Sequence, residues 1–262
     1  MRKKLGFALG SGGSRGVAHI GFLKAMEEAG IKPDFVSGCS MGSVVGACYA
    51  SGMSPEKMRK EVLNLKFSEI FDLSLNPIGN GALLRAKKMR KKLTTYLKNK
   101  TISELDIPFC CVAADLVSGK IKRLCGDVSA VEAVAASSSI PGIFRPVQMD
   151  DMMLVDGGIK CRVPIQQVRD MGADVVVAVD VLGGLRENNR KYNMLAVLFR
   201  MFDIVDCELT SYKTQVDKPD MFLVPDLGDM VQYKFKDMEK AIDIGYELGK
   251  SKVDEIKEML CL

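Results

Sequence analysis

Histidine is nearly absent from this chain, since His19 is the single one among 262 residues. A zinc site built from several histidines is therefore excluded, and a catalytic triad would have to use His19 or do without histidine. Long apolar runs are also missing, because no stretch approaches the roughly 18 residues of a membrane-spanning helix. The apolar run at residues 5–9 follows three basic residues but stops at Gly10, short of the roughly 7–15 residues of a signal-peptide core. We therefore expect a cytoplasmic protein.

Paired cysteine motifs are missing as well. The eight cysteines show no C-x-x-C spacing, and the chain is longer than the small domains that disulfides hold together. We expect reduced and mostly buried thiols. The net charge of +4 is too small to indicate a nucleic-acid partner, and the residue types indicate no metal and no other cofactor.

The chain does contain short apolar runs that alternate with helical stretches. The valine-rich run at residues 175–179 is typical of a strand that is buried on both faces. The predicted strands are residues 4–9, 34–38, 109–115, 119–124, 153–155, 175–179 and 221–224. The predicted helices are residues 15–29, 43–50, 85–97, 131–137, 164–171, 193–209 and 237–260, together with one that begins at residue 55. Residues 67–84 are predicted to be a loop or a mobile flap, and residues 183–189 a polar loop.

This alternation predicts an α/β protein in three layers, α/β/α, around a mainly parallel central sheet. The sequence contains no internal repeat and no clear linker. We therefore predict one domain over residues 1–262. Its motifs lie within about residues 5–182, and a helical tail covers about residues 190–262.

The sequence Gly38-Cys39-Ser40-Met41-Gly42 has the form G-x-S-x-G and lies between a predicted strand and a helix of small residues. A sharp strand-to-helix turn of this kind exposes the serine hydroxyl as a nucleophile, and the helix N-terminus favours developing negative charge. The alternative is a glycine-rich turn that contains a serine by chance.

A second glycine-rich turn, Gly10-Ser11-Gly12-Gly13-Ser14-Arg15-Gly16, also lies between a predicted strand and a helix. Its backbone N–H groups can converge on an anion. A nucleotide phosphate is disfavoured, because the Gly-Lys-Ser/Thr ending of a Walker motif is missing and a strict G-x-G-x-x-G pattern fails. The remaining interpretations are an oxyanion hole for a tetrahedral intermediate and a plain tight turn.

The sequence Asp156-Gly157-Gly158 follows the apolar pair Leu154-Val155. A carboxylate at the end of a strand, followed by two flexible glycines, is well placed to enter a site. Taken alone, an Asp-Gly pair is more often an ordinary turn.

Together these three motifs resemble the patatin-like phospholipase family, and especially its bacterial members, with matching stretches from Gly10 to Asp180 in the expected order. The resemblance implies a lipid acyl hydrolase with a Ser-Asp dyad, in which Ser40 is the nucleophile and Asp156 the general base. It also implies that Gly12 and Gly13, supported by Arg15, form the oxyanion hole. The chain departs from the family pattern at Ser11, where a glycine is usual, but we expect Ser11 to supply a backbone N–H all the same.

The single histidine also supports a dyad, because α/β-hydrolases place their histidine after the acid and none follows His19 here. The family often has a histidine at this position. We expect His19 to be a packing residue or to lie behind the residues of the site.

Two further segments concern the substrate. Eight basic residues and no acidic one lie between positions 85 and 100, interleaved with apolar side chains: Arg85, Lys87, Lys88, Arg90, Lys91, Lys92, Lys98 and Lys100. They predict either peripheral contact with an anionic membrane or a solvated helix with one buried face. The apolar run at residues 194–205 could belong to the core, line an acyl groove or form a dimer contact.

Two functions therefore compete. One is a serine hydrolase that acts on phospholipids, lysophospholipids or related acyl esters. The other is a regulatory or lipid-sensing protein that keeps the fold without hydrolysis. The presence of Ser40, Asp156 and the loop glycines favours the hydrolase, since a binding protein has no need of all three.

Overall fold

The computed structural model describes residues 2–70, 72–74, 82–185, 194–230 and 237–262. Within these ranges the strands are β1 (Leu5–Leu9), β2 (Phe35–Gly38), β3 (Ala82–Leu84), β4 (Phe109–Asp115), β5 (Ile121–Leu124), β6 (Gly142–Phe144), β7 (Val147–Met149), β8 (Met152–Asp156), β9 (Val175–Val179) and β10 (Met221–Leu223). The helices are α1 (Ala18–Glu28), α2 (Met41–Ala50), α3 (Pro55–Leu63), α4 (Phe67–Ile70), α5 (Lys87–Leu97), α6 (Ala130–Ser137), α7 (Ile165–Arg169), α8 (Met194–Asp217), α9 (Met238–Ser251) and α10 (Val253–Leu260).

The central sheet has the strand order β10-β9-β1-β2-β4-β8-β7, and β5 also pairs with β4. The pairings from β10 to β4 along this order are all parallel. Strands β5, β8 and β7 add an antiparallel edge. The expected α/β fold with a mainly parallel central sheet is therefore confirmed. Two short strands, β3 and β6, pair separately.

The core lies on both faces of the sheet because successive strand residues point to opposite sides. Leu5, Phe7 and Leu9 of β1 belong to the main apolar cluster, which includes side chains of α1, α2 and α9. Ala8 points the other way and packs in a second cluster with Val168 of α7. All five residues of β9 are buried, as its valine run predicts. Helices thus cover both faces, which gives the three predicted layers.

The predicted strands and helices are present, with four differences. The first three residues of the predicted helix 15–29 form part of a short 3-10 turn, Gly13–Val17, before α1. Helix α8 is longer than predicted and ends at Asp217. The predicted helix 237–260 is broken at Lys252, whose φ of −111° and ψ of 2° are not helical, so α9 and α10 are separate. Strands β6 and β7 are too short to give a sequence signal.

The predicted loop 67–84 is only partly a loop, because α4 and β3 lie at its two ends. Residues 72–74 are described between them, whereas residues 71 and 75–81 and most of the predicted loop 183–189 lie outside the described residues. The division into a motif-bearing part and a helical tail within one domain stays a prediction. No helix in the described ranges has both the length and the hydropathy of a membrane span.

Candidate active site

The register of the sheet brings the serine and aspartate motifs together. Gly38 of β2 pairs with Cys111 of β4, and Asp156 of β8 pairs with Ala113, two residues further along β4. Ser40 lies two residues beyond Gly38. The end of β8 and the turn after β2 are therefore at the same level, on either side of β4.

Ser40 occupies a sharp turn at the N-terminus of α2. Its φ of 51° and ψ of −121° lie in a region that side-chain-bearing residues rarely adopt, at a cost of roughly 1–3 kcal/mol. The flanking glycines allow the turn to be tight. A Cβ at Gly42 would overlap the carbonyl oxygen of Leu9, and one at Gly38 would overlap the backbone of Gly42 and Ser43. This is the strained strand-to-helix turn that the G-x-S-x-G spacing predicts.

Neighbouring serines hold the backbone of this turn. The N–H of Ser40 donates to Oγ of Ser137 at 3.1 Å. The carbonyl oxygen of Ser40 accepts hydrogen bonds from the hydroxyls of Ser43, at 2.6 Å, and Ser138, at 3.3 Å. These contacts keep the Ser40 backbone in its strained conformation. They use only its backbone groups, so the hydroxyl remains available for another partner.

The hydroxyl of Ser40 donates to Oδ2 of Asp156 at 2.5 Å. The other carboxyl oxygen, Oδ1, accepts from the N–H of Gly158 at 2.8 Å and from the thiol of Cys39 at 3.8 Å. Burial raises the pKa of Asp156 to about 6, although the hydrogen bonds from Ser40, Gly158 and Cys39 oppose the rise. At pH 7 the group is therefore mostly a carboxylate, and it is a stronger base than an ordinary aspartate, whose pKa is about 3.9.

The glycine-rich loop lies against this pair, and Gly13 lines the same cavity as Ser40 and Asp156. Among the described residues, nothing accepts a hydrogen bond from the N–H groups of Gly12 or Gly13. Two donors at the start of a helical turn can thus receive an anion. The expectation that Ser11 supplies a further N–H is wrong, because that group donates to the carbonyl oxygen of Arg162 at 2.9 Å. Ser11 does not have a positive φ, so a serine fits there without strain.

Arg15 and His19 hold the loop from outside the cavity. The guanidinium of Arg15 donates to the carbonyl oxygens of Gly228, at 2.7 Å, and Leu182, at 3.2 Å. His19 is fully buried, and its Nε2 lies 2.8 Å from the carbonyl oxygen of Gly10. Burial lowers the pKa of His19 to about 4, so the ring is neutral and Nε2 carries the proton that this hydrogen bond needs. His19 therefore supports the loop and does not contact Ser40.

Helix α8 supplies further cavity residues, of which Phe202 lies in the run that the sequence left open, whereas the two acids were not expected. Phe202, Asp203 and Asp206 line the cavity, which has a volume of about 60 Å³. Arg162 pairs with Asp206 at 3.3 Å and with Asp180 at 2.8 Å. Burial raises the pKa of Asp206 to about 7 despite this pairing. In the sequence, only one feature could have indicated this. Asp203 and Asp206 are three residues apart in an apolar helix, and this spacing puts both on one face. No group of three or more His, Cys, Asp or Glu residues in the described ranges is arranged to hold a metal.

Sequence comparison links the chain to known proteins. A family model described as patatin-like phospholipase matches residues 7–169. An uncharacterised NTE family protein of Mycobacterium tuberculosis is 35% identical over 185 residues, which are 69% of this chain and 49% of that protein. Patatin-like phospholipase domain-containing protein 6 of Homo sapiens is 31% identical over 68% of this chain and 13% of its own length. This chain thus spans about half the length of the mycobacterial relative and much less of the human one.

Structural comparison identifies similar folds. VipD from Legionella pneumophila aligns with a TM-score of 0.58 and 14% identity, over 97% of this chain and 67% of that chain. ExoU from Pseudomonas aeruginosa, in complex with SpcU, aligns with a TM-score of 0.54 and 13% identity, over 100% of this chain and 53% of that chain. At these identities the similarity concerns the fold alone.

Proposed function

The chain belongs to the patatin-like phospholipase family, and on that premise we propose that it is a serine hydrolase of lipid acyl esters. The observation that carries the proposal is the 2.5 Å hydrogen bond from Ser40 to the buried carboxylate of Asp156, beside two N–H groups of the glycine-rich loop. A nucleophile, a base and an oxyanion site are the three parts that acyl transfer needs. A lipid-sensing protein without hydrolysis would need none of them.

In the proposed reaction, Ser40 Oγ attacks the ester carbonyl carbon while its proton passes to Asp156 Oδ2. The N–H groups of Gly12 and Gly13 donate to the oxygen that becomes negative. The bond to the alcohol then breaks, and Asp156 returns the proton to the departing oxygen. Water attacks the acyl-enzyme, gives its proton to Asp156 and releases the carboxylic acid, and the proton returns to Ser40.

The environment of Asp156 suits this role. A base is most effective when its pKa lies near the working pH, because it is then deprotonated and still has a strong affinity for a proton. Burial brings the pKa of Asp156 to about 6, closer to neutrality than that of a solvated aspartate. Two donors other than Ser40 fix the carboxylate, so Oδ2 remains oriented toward the nucleophile.

The proposed substrates are phospholipids, lysophospholipids or related acyl esters. The family description names a phospholipase, and a relative from Coccidioides immitis that is 25% identical over 97% of this chain and 18% of its own length is named a lysophospholipase. Apolar side chains of Ile140, Pro141, Leu182 and Phe202 line the cavity beside Ser40, as an acyl ester requires. The cytoplasmic location stays a prediction.

Peripheral membrane contact through α5 is part of this proposal, in a narrower form than the sequence indicates. The apolar side chains Leu93 and Leu97 are buried in the core, so they are not available to a membrane. Lys87 and Lys88 lie exposed in the first turn of α5, where the helix dipole disfavours positive charge and no acidic residue compensates. We propose that α5 contacts anionic lipid through charge alone.

Labelling with a fluorophosphonate probe, followed by peptide mapping, tests the proposed nucleophile. We expect modification at Ser40, and we expect Ser40→Ala and Asp156→Asn each to lower the turnover of a short-chain ester by about 10⁴-fold or more. The losses should not add in the double variant, because the two groups act as a unit. Ser51→Ala is the matched control, since Ser51 follows the far end of α2 and its hydroxyl donates only to the local carbonyl oxygen of Cys48. Labelling at another residue, or normal turnover in Asp156→Asn, would contradict the dyad.

A further inference from the structure

The buried acids in the described part of the chain differ in how many hydrogen bonds they accept. They are Asp115, Asp156, Asp180 and Asp206. The first three each accept hydrogen bonds from at least two other residues. Asp206 accepts only one, from the guanidinium of Arg162 at 3.3 Å, and no described residue donates to its Oδ1. Since a carboxylate can accept roughly four hydrogen bonds, Asp206 is the buried acid with unused capacity.

Asp206 reaches the cavity beside Ser40 from helix α8. It lines that cavity together with Asp156 and with Phe202, which lies one turn earlier on the same helix. Buried polar atoms without a partner are rare in proteins and cost free energy, unless a ligand or a water supplies the missing hydrogen bond. Asp206 is therefore placed to accept a hydrogen bond from a molecule that enters the cavity.

The ion pair with Arg162 does not account for this acid. Nη2 of Arg162 donates to Asp180 at 2.8 Å and to the carbonyl oxygen of Gly183 at 3.2 Å, and both contacts are shorter than the one that Nη1 makes with Asp206. Asp180 therefore already balances the charge of Arg162 and fixes its position. The carboxyl group of Asp206 is left as an additional acid at the cavity wall.

The charge and size of the cavity limit what can bind there. Among the described residues, three acids and no basic side chain line it, namely Asp156, Asp203 and Asp206. A phosphate group at this place would be repelled by like charge. A volume of about 60 Å³ is far below the roughly 300–1,000 Å³ of pockets that enclose drug-sized ligands. The partner of Asp206 is therefore a small group without negative charge.

A hydroxyl group matches Asp206 better than an ammonium group does. Burial raises the pKa of Asp206 to about 7, so the acid and the carboxylate are both present near neutral pH. A hydroxyl can donate to the carboxylate and accept from the acid, whereas an ammonium group can only donate. The hydrocarbon of an acyl chain carries no such group, so the hydroxyl has to belong to the alcohol part of the ester.

We propose that Asp206 is a specificity-determining residue, whose carboxyl group binds a free hydroxyl on the alcohol part of the ester while Ser40 attacks the carbonyl carbon. This inference rests on the proposed function and narrows its substrates to esters of polyols that keep a free hydroxyl. Monoacylglycerols and lysophospholipids share this group. In a lysophospholipid the phosphate would remain outside the cavity, away from the three acids.

Two soluble esters test the contact. Glycerol 1-butyrate and propyl butyrate have the same acyl group and the same three-carbon alcohol skeleton, but only the first has free hydroxyls. Both form the same butyryl-enzyme, so a difference in kcat/KM between them comes from the alcohol part. We expect the parent to prefer glycerol 1-butyrate at least tenfold, because a site built around a hydroxyl rejects an ester that lacks it. Absence of this preference would overturn the proposal.

Substitutions assign the preference to a residue. Asp206→Leu should lower the ratio of the two kcat/KM values at least tenfold, and Asp206→Asn, which keeps an acceptor oxygen, should lower it less. Asp180→Asn is the matched control, since Asp180 is also a buried partner of Arg162 but does not line the cavity. It should keep the parent's ratio. Equal losses on both esters in Asp206→Leu, or the same fall of the ratio in Asp180→Asn, would overturn the contact in favour of a structural role.

Binding measured without turnover separates this inference from the proposed function. In NMR titrations of Ser40→Ala, adding Asp206→Leu should weaken the binding of glycerol 1-butyrate at least tenfold relative to that of propyl butyrate. Such a loss, with a parent that hydrolyses neither ester, would contradict the proposed function and leave the inference standing. Hydrolysis of both esters at a ratio independent of Asp206 would overturn the inference alone.

The two sources of the hydroxyl are compared in the same way. Monoacylglycerol and lysophosphatidylcholine with the same acyl chain are given to the parent and to Asp206→Leu. Dependence on Asp206 with monoacylglycerol alone would support a neutral polyol ester as the substrate, and dependence with both would support a phosphate that stays outside the cavity. Dependence with neither would overturn the proposal.

Discussion

Asp156 is subject to opposing influences that together set its proton affinity. Burial favours the neutral acid, whereas donors at Ser40, Gly158 and Cys39 favour the carboxylate. Burial has the larger effect, and the pKa rises to about 6. A neighbouring carboxyl, Asp206, lines the same cavity with a pKa of about 7 and is held by Arg162. Two acids with different partners therefore titrate near neutrality within one cavity.

The pH dependence of the proposed hydrolysis follows from the protonation state of Asp156, because only its carboxylate can accept a proton. Only the carboxylate form of Asp156 is a base, so kcat/KM for a soluble ester should rise with pH through about 6 and level off above it. Asp206→Asn distinguishes the two acids. If Asp156 is the titrating group, the rise near pH 6 persists in this variant. Loss of the rise in Asp206→Asn would instead assign it to Asp206.

The sequence reveals those site residues that lie in short motifs, because a motif can be recognised from neighbouring positions alone. Ser40, Asp156, Gly12 and Gly13 lie in short motifs whose glycine spacing reflects local backbone geometry, and the structure places Ser40, Asp156 and Gly13 around one cavity. Asp206 could not be predicted, because it reaches the cavity from a helix about 50 residues after Asp156 in the chain. Only tertiary packing places it there, and a helix of apolar residues with two acids is compatible with many positions.

At the scale of elements, the closest packing joins the first long helix to the penultimate one. A Cβ at Gly245 of α9 would overlap the carbonyl oxygen of Ala18 in α1, and one at Gly21 would overlap the carbonyl oxygen of Ile242. The two backbones therefore touch where both helices carry glycine. This contact joins the segment after the motifs to the first helix of the fold, whereas the sequence predicted only that residues 15–29 and 237–260 are helical.

Gly245→Ala tests this contact because two effects on the free energy of unfolding have opposite signs. Helix propensity alone favours alanine over glycine by about 1 kcal/mol. Overlap with the backbone of Ala18 should instead destabilise the protein by about 1–3 kcal/mol or more, and we expect this effect to dominate. Denaturant unfolding measures the sign. Glu247→Ala, at an exposed position on the same helix, should change stability by less than about 0.5 kcal/mol. A more stable Gly245→Ala variant would show that α1 and α9 are less closely packed.

The positions of helices and strands were predictable where one pattern of apolar residues extends over a whole segment. Strand β9 was found from its valines alone, since a run buried on both faces needs no alternation. The break at Lys252 between α9 and α10 was missed because the apolar spacing continues through it and lysine is not a helix breaker. The exposed face of α8 could not be assigned from the sequence, because the apolar run at residues 194–205 is compatible with the core, an acyl groove and a dimer contact.

At the scale of the whole molecule, the proposed membrane contact of α5 depends on charge. Helix α5 offers basic side chains, while its apolar side chains Leu93 and Leu97 are buried in the core. Several basic side chains of α5 make only weak contacts within the protein. Lys88 donates to the carbonyl oxygen of Ser68, and Lys92 lies 6.0 Å from the ring centre of Tyr96. The net charge of +4 is small, so attraction to anionic lipid would depend on this local concentration of charge.

Neutralising α5 should therefore weaken binding to anionic vesicles only. A quadruple variant, Lys87, Lys88, Lys91 and Lys92 to Gln, removes about 1 kcal/mol per residue near a charged surface, so binding should fall by orders of magnitude. High salt should weaken the parent in the same way by screening, while hydrolysis of a soluble ester should be unchanged. Binding to zwitterionic vesicles is the control, because a contact through charge alone requires anionic lipid. If variant and parent bind anionic vesicles equally and respond equally to salt, α5 is an ordinary solvated helix face.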